Sequence, residues 1–500
     1  METRKRRWTV VAFAAFAVAA VFPMQVNGWN QNAHYALVRA LAQGTATIDK
    51  TRREIGDLGT GDVTLVAGHY YSNKAPGLAI VTLPAFVAVE AAGMRTTGDP
   101  TRVIWALHVW SIALAAVVLL LLVRRVADGF APGYGTTTAM TLGLGTLVLP
   151  FSTLYFAHVL GATLGFAAFA ALWSERRGPP RTWLVAAAGV LAGYAASTEY
   201  TVAIVGLVLW ALVLARPPRL RRAAAYVGGV ALGVTPLALY NLWAFGSITH
   251  FSYEENEVEP IGGVLGLGVP SLSAARDLLF SAWGLLTNMP VLALGVVGAV
   301  LLYRGGRRLE AAVLVAVPAL AFLHDTALQF SPFGGLGLPR YLIYAFPFVL
   351  APLGLVYRRL PVTTLALAGV SVVQMTLMTA TNPLAAYDLD WAGRASRKEF
   401  SQNAAAFVEV TGWYTIALFF AAVAVAATAA VVLLPRIRLD RVDALAAGAA
   451  LAAWVVIAAV ARTPDGGRHG LGYVLAVAIA VASPLLALGL TRARLRPQPS

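Results

Sequence analysis

The chain contains no cysteine, which removes disulfides, thiolate metal sites and cysteine nucleophiles from consideration. It is also poor in charge. Asp, Glu, Lys and Arg make up 12% of its 500 residues, roughly half the share that a water-soluble surface needs. Hydrophobic residues reach 58% and the mean hydropathy is +0.70. Water-soluble enzyme, fibrous protein and disordered scaffold are thereby excluded. Lysine is nearly missing, with four among 38 basic residues, an arginine bias expected of a GC-rich bacterial genome. The net charge of +14 forms no single basic patch, so nucleic acid is not an expected partner. The basic residues sit instead in short clusters between apolar runs, the positive-inside pattern of a multi-pass membrane protein.

Apolar runs long enough to span a bilayer occur near 8–27, 103–123, 135–153, 156–174, 182–198, 200–216, 223–245, 290–303, 309–326, 340–357, 362–380, 412–434, 442–461 and 470–490, giving fourteen expected spans. With a cytoplasmic N-terminus, the inner loops hold 24 of the 38 basic and 6 of the 24 acidic residues, a balance of +18. The outer loops hold the other 14 basic and 18 acidic residues, a balance of −4. This asymmetry sets the orientation, with both termini cytoplasmic. The run Leu78 to Ala92 is left out, because counting it inverts every later loop. It is short and carries Pro84 and Glu90, so it reads as an interfacial or re-entrant helix. The basic N-terminus and first run lack an A-x-A cleavage site and read as an uncleaved anchor. The expected fold class is all-α, a polytopic transmembrane bundle forming one membrane domain over 1–500 in a plasma (inner) membrane. A long first outer loop, 28–102, carries two juxtamembrane helices, and 246–289 and 381–411 are further outer loops.

Polar chemistry gathers on the outer side. The first loop opens with Asn32 as a helix cap and AHYALVRALAQ as an amphipathic helix lying on the membrane, stopped by Gly44. Next comes an acidic and basic stretch with Asp49, Glu54, Asp57 and Asp62 interleaved with Lys50, Arg52 and Arg53, then GHYYSNKAPG, which holds His69, Tyr70, Tyr71, Asn73 and Lys74. Ionisable residues at membrane depth are costly and default to function. Glu199, His158, Asp325 and Arg340 all fall at the outer ends of expected spans, the depth of the first loop, whereas a transporter would place such groups near the midplane. The aromatic and charged stretches of the other two loops fit sugar or headgroup binding as well as an interfacial belt.

These segments resemble the GT-C class of polytopic glycosyltransferases, which includes protein O-mannosyltransferases (glycosyltransferase family 39) and lipid A aminoarabinose transferases. HYALVRALAQG is similar to their R-Y-x-x-x-A-R-x-M-x-x-x-G helix, YYSNKAPGLAIVTLPAF to their Y-F-E-K-P-P-L segment, and GGLGLPRYLIYAFPF to their G-x-R-Y-L-x-P-x-x-P span. The resemblance runs from Arg4 to about Pro383. It implies a lipid-phosphate-sugar donor bound by cations at Lys74 and Arg340. Two departures stand out: Asn30, Gln31 and Asn32 occupy the place of the acid before the first loop helix, and Asn73 that of the Glu before Lys-Pro.

The leading expectation is transfer of a sugar from a polyprenyl-phosphate donor to an acceptor at the outer face. A carboxylate must deprotonate the acceptor hydroxyl and cations must steady the departing phosphate. Asp49 is the first candidate base and Asp57 the second. Lys74 and Arg340 are the phosphate ligands, the Arg fork being suited to bidentate contact. Glu199, His158 and Asp325 would orient the acceptor or a metal, and His69, Tyr70, Tyr71 and Asn73 belong to the substrate loop. No cofactor is required by this scheme, and a divalent cation is an open option. Membrane lipids are expected partners; sugar, acceptor and oligomeric state are not readable. The competing readings are a lipid-linked glycan flippase or exporter, against which stands the lack of a charged path through the spans, and an inactive partner in an envelope-synthesis complex.

Overall fold

The computed structural model describes residues 2–25, 27–55, 60–253, 267–328, 338–384, 390–435 and 440–461. Asp57 and the expected span 470–490 lie outside the described residues. The described chain is a polytopic helical membrane protein with two short two-stranded ladders. Among the described residues seven helices are long and apolar enough to cross a bilayer, or up to nine if each of two bent pairs is one span.

The fourteen expected spans are therefore not reproduced one for one. Hydropathy registers apolar residues whether they face lipid or other helices, and the difference lies where the backbone breaks. Segment 135–153 divides into Gly135–Gly145 and Val148–Phe151, all buried in the bundle. Segment 290–303 continues Leu272–Asn288 through a 98° bend, and segment 340–357 bends by 55°. Thr182–Thr198 and Tyr200–Leu214 are apolar but short.

Helix Thr182–Thr198 packs on Arg219–Phe245 through two G-x-x-x-G faces. A Cβ at Gly189 would lie 2.3 Å from Tyr226 O, and one at Gly193 2.4 Å from Val230 O. The reciprocal positions are as tight, Gly229 at 2.2 Å from Ala186 O and Gly233 at 2.3 Å from Val190 O. Only glycine lets two backbones approach so closely, and the reward is dispersion contact where no hydrophobic drive acts between helices. Ser197 Oγ donates to Gly233 O at 3.1 Å across this seam. At the opposite end of the pair, Arg222 is buried against Glu175 and donates to Val213 O at 2.9 Å. One of the clustered arginines is thus a structural bolt rather than a solvated charge.

The first loop covers the end of the bundle nearest Glu199. Its first helix is Trp29–Ala42, capped by Gly28 rather than by Asn32, which lies within the first turn. Residues Gln31 to Ala40 are buried all round, so the helix does not lie open on a surface. One face of the helix packs on the segment that follows, with Ala36 and Ala40 clustered with Ile48 and Val63 against Tyr70. A hairpin pairs Val63–Val66 with His69–Ser72 around Ala67 and Gly68, both at positive φ (49° and 81°). Two left-handed residues make the tight turn whose twist matches that of the strands.

The apolar run after it forms one helix, Gly77–Ala91, of 15 residues. At 1.5 Å per residue it rises about 22 Å, short of the roughly 30 Å hydrocarbon layer. Its first residue lacks a side chain for a steric reason: a Cβ at Gly77 would sit 2.5 Å from Ser197 O. Tyr194 Oη donates to Gly77 O at 2.9 Å at the same contact. This docking fixes Lys74 close to the end of Thr182–Thr198. Loop 381–411 is tied in by Pro23–Met24 pairing with Gln402–Asn403.

Candidate functional site

Under the first loop lies a cavity of about 280 Å³. The loop contributes Asn30, His34 and Lys74 to its wall, and the bundle contributes His158, Glu199, Tyr200, His324 and Tyr341, with Tyr253 from the loop after Phe245. His158 occupies the first turn of Ala157–Arg176, and Glu199 ends Thr182–Thr198, where the backbone turns extended at φ −156°.

His158 Nδ1 and Glu199 Oε1 stand 2.7 Å apart, with the side chains 7% and 11% exposed. One helical turn along, Gly161 brings backbone close to the carboxylate, since its Cβ would lie 3.5 Å from Glu199 Oε2. The imidazole is packed by the rings of Phe151, Phe156 and Tyr341 at 5.5, 5.8 and 5.8 Å. Among the described residues neither His158 Nε2 nor Glu199 Oε2 has a hydrogen-bond partner.

Lys74 Nζ lies 2.9 Å from Asp62 Oδ2 and 5.6 Å from the Tyr253 ring centroid. Asp62 precedes the first hairpin strand, and Asn73 N donates to its carbonyl at 3.3 Å, one step beyond the Val63 and Ser72 pair. Burial pushes the Asp62 carboxyl up, but Lys74, Arg340 and the Asn73 amide outweigh it and leave it below its ordinary value. His34 is driven down to about 3 by burial, then by Lys74 and His158, against the opposing pull of Asp62. Burial raises the Tyr253 phenol, and Asp62 and Glu199 add to the shift.

Arg340 is buried beside this wall. Its guanidinium carbon lies 5.0 Å from the Tyr341 ring centroid and 5.9 Å from that of Phe156, and Nη2 reaches Tyr341 Oη at 3.3 Å. Its Nε and Nη1 have no acceptor among the described residues. Buried polar atoms are almost always paired, so this group of orphans, to which His34 Nδ1 and Asn30 Oδ1 also belong, has bonding capacity that water or a polar ligand can fill.

The structure thus brings Lys74, Arg340, Glu199 and His158 to one site. Asp49 is elsewhere. It begins the short helix Asp49–Ile55, accepts from Tyr70 N at 2.8 Å and pairs with His69 Nδ1 at 2.7 Å, in a surface niche with Arg52 and Arg53. His69 is 59% exposed there, Tyr70 lies under Arg52 at 3.8 Å, and Tyr71 packs on Phe245 at 5.0 Å. Asn73 is buried and its carbonyl accepts from Ser252 Oγ at 3.0 Å. Asp325 is buried behind His324, whose Nδ1 is 3.2 Å away, and His324 is the member of that pair that lines the cavity. Among the described residues no three His, Asp or Glu side chains gather as a metal-holding set. Sequence reasoning passed over Asp62, His34, Tyr253 and Tyr341 as site residues. Asp62 had a legible signal: reflecting the chain about Ala67 and Gly68 places it opposite Asn73 and next to Lys74.

No family model matches the sequence, and no curated protein matches it. Among solved structures, the fold is similar to that of ArnT, a GT-C glycosyltransferase. The chain superposes on ArnT from Cupriavidus metallidurans, an aminoarabinose transferase seen bound to undecaprenyl phosphate, with a TM-score of 0.50, 14% identity and coverage of 96% of this chain and 75% of ArnT. It also aligns with the archaeal oligosaccharyltransferase AglB from Archaeoglobus fulgidus, in complex with an inhibitory peptide and a dolichol-phosphate, at a TM-score of 0.46 and 15% identity, covering 93% of this chain and 59% of AglB.

Proposed function

We propose that the chain is a membrane glycosyltransferase that moves a sugar from a polyprenyl-phosphate-linked donor to a hydroxyl acceptor, at the outer face of a bacterial plasma membrane with both termini cytoplasmic. The observation that carries this reading is Arg340. It is 7% exposed, with two donor nitrogens unused and no carboxylate within ion-pair distance among the described residues. An uncompensated buried cation costs several kcal/mol, and a phosphate entering beside it would remove that cost through charge-assisted bonds. The solved complex of ArnT with undecaprenyl phosphate supplies a ligand of that chemistry within the same fold.

In this reading Arg340 holds the donor phosphate and Lys74 approaches from the loop. As the sugar leaves, the phosphate gains a negative charge, and preorganised cations stabilise that charge where it develops. Asp62 keeps Lys74 aimed until the donor arrives. The aromatic wall of Tyr200, Tyr253 and Tyr341 offers faces for the sugar ring.

The test is binding of undecaprenyl phosphate to the purified protein in nanodiscs, with undecaprenol as the neutral control. Saturable binding selective for the phosphate, weakened in Arg340→Gln, is the expected result. Equal affinity for the two lipids would sink the proposal. Transfer is then measured with a panel of polyprenyl-phosphate-linked hexoses and pentoses.

A further inference from the structure

A transfer of this kind needs a group to take the acceptor's proton, and the first-loop acids are poor choices. Asp49 is bonded to His69 and Tyr70 N in a niche apart from the cavity. Asp62 is at the site, but Lys74 neutralises it at 2.9 Å, and its carboxyl is held below the ordinary range even against the effect of burial. A carboxylate so well stabilised has little appetite for a proton.

We infer that the acceptor hydroxyl is deprotonated by His158 Nε2, with Glu199 as the positioning residue that holds Nδ1, in place of a first-loop carboxylate. This rests on the glycosyltransferase reading above. The geometry has the parts of a carboxylate–imidazole pair: a short bond between Nδ1 and Oε1, near-complete burial of both groups, and an Nε2 with no partner among the described residues. Glu199 fixes the tautomer, because accepting from Nδ1–H leaves the lone pair on Nε2. It also stabilises the imidazolium once formed. Tyr341 links the base to the phosphate ligand: its ring is 5.8 Å from His158 on centroids and 5.0 Å from the Arg340 guanidinium carbon. Base and phosphate cation therefore both border one ring.

The acceptor oxygen forms a bond to the anomeric carbon while its proton passes to His158 Nε2. The bond from the anomeric carbon to the phosphate oxygen breaks, and its electron pair leaves with that oxygen. Polyprenyl phosphate departs as the monoester with one more negative charge, facing Arg340 and Lys74, and His158 gives its proton to water after product release.

The experiment uses the full-length protein in nanodiscs, a donor that the wild type turns over, and undecaprenyl phosphate as the binding probe. His158→Gln should lower kcat on the order of 10²–10⁴-fold, the usual worth of general-base catalysis, while undecaprenyl phosphate affinity stays within roughly three-fold. Glu199→Gln should lower kcat by about ten-fold or more with KM nearly unchanged, a split that a loss of packing alone would not give. Added imidazole should restore part of the activity of His158→Ala, with no effect on Glu199→Gln. Near-normal kcat in His158→Gln would overturn the assignment, as would losses of affinity and kcat in parallel. If wild type binds the lipid but turns over no donor, the glycosyltransferase reading falls and this assignment with it. An active wild type alongside an active His158→Gln removes the histidine alone.

Discussion

Lys74 Nζ and Asp62 Oδ2 form a 2.9 Å ion pair across the open end of the first-loop hairpin. The pair sets the charge that a donor meets, since Asp62 offsets Lys74, and Arg340 is left as the cation beside the wall with no carboxylate at ion-pair distance among the described residues. Asp62→Asn should therefore tighten undecaprenyl phosphate binding, by roughly three- to ten-fold at low salt, with the gain shrinking as salt rises. The same change leaves two cations facing each other without the carboxylate. Asp62 is 24% exposed on its side chain, so the full penalty of a broken buried pair is discounted to about 1–3 kcal/mol of stability. Lipid titration and thermal unfolding read the two effects separately, and weaker lipid binding in a folded Asp62→Asn protein would contradict the charge argument.

His34 makes stability depend on pH in a definite direction. Its folded value is about 3, against an ordinary 6.5, so between those values the unfolded chain binds the extra proton and the folded one does not. Stability from this group is complete above about pH 6.5 and is lost as pH falls toward 3, at up to about 1.4 kcal/mol per pH unit. Asp62 acts lower down: its depressed carboxyl contributes fully above its unfolded value near 3.8 and loses that contribution only as pH falls through its folded value. A melting series from pH 7 to pH 4.5 should show a downward slope that His34→Asn flattens and Asp62→Asn does not. Equal slopes in the wild type and in His34→Asn would mean that His34 is not held neutral.

Arg340→Lys is not a conservative change at this site. Lysine keeps the charge but loses the planar fork and the packing against the Tyr341 and Phe156 rings. Loss of one or two charge-assisted bonds, each worth about 1.5–3 kcal/mol, predicts undecaprenyl phosphate binding weaker by roughly ten- to a hundred-fold. Wild-type affinity in Arg340→Lys would reduce the residue to a point charge.

Asp49→Asn provides the opposite expectation. The carboxylate serves Tyr70 N and an exposed His69, so its loss should cost about 0–1 kcal/mol of stability and leave turnover within roughly two-fold of wild type. A large fall in turnover with lipid binding intact would return the base to the first loop and weigh against His158.

The span-rich helical fold and the loop-end location of the polar groups could be read from hydropathy and charge placement alone, since both are properties of single residues. What the linear pattern could not show was pairing. His158 and Glu199 were each visible as ionisable residues at one depth, but their 2.7 Å contact depends on how closely neighbouring helices approach. Asp49 and Asp62 look alike in the sequence, and hairpin register alone separates them. The Asn32 cap failed because Gly28 starts the helix a full turn earlier, which turns an apparent surface helix into a buried one. Breaks such as the one between Gly135–Gly145 and Val148–Phe151 do not show in the linear pattern, because apolar composition persists through them.

That dependence on helix approach yields a last prediction, at Gly193. A Cβ there would stand 2.4 Å from Val230 O, a backbone atom of the facing helix that no rotamer can move aside. Gly193→Ala must push the two helices apart at a point six residues before Glu199. Overpacking of this kind costs about 1–3 kcal/mol, and the displaced helix end carries the carboxylate away from His158. Turnover should therefore fall more steeply than undecaprenyl phosphate binding, which rests chiefly on Arg340 from another segment. Gly228→Ala is the matched control on the facing helix. A Cβ at Gly228 meets nothing within 4 Å, so alanine there should leave turnover unchanged and add about 0.5–1 kcal/mol through helix propensity. Equal behaviour of the two variants in melting and turnover would show that close packing of the two helices does not set the position of Glu199.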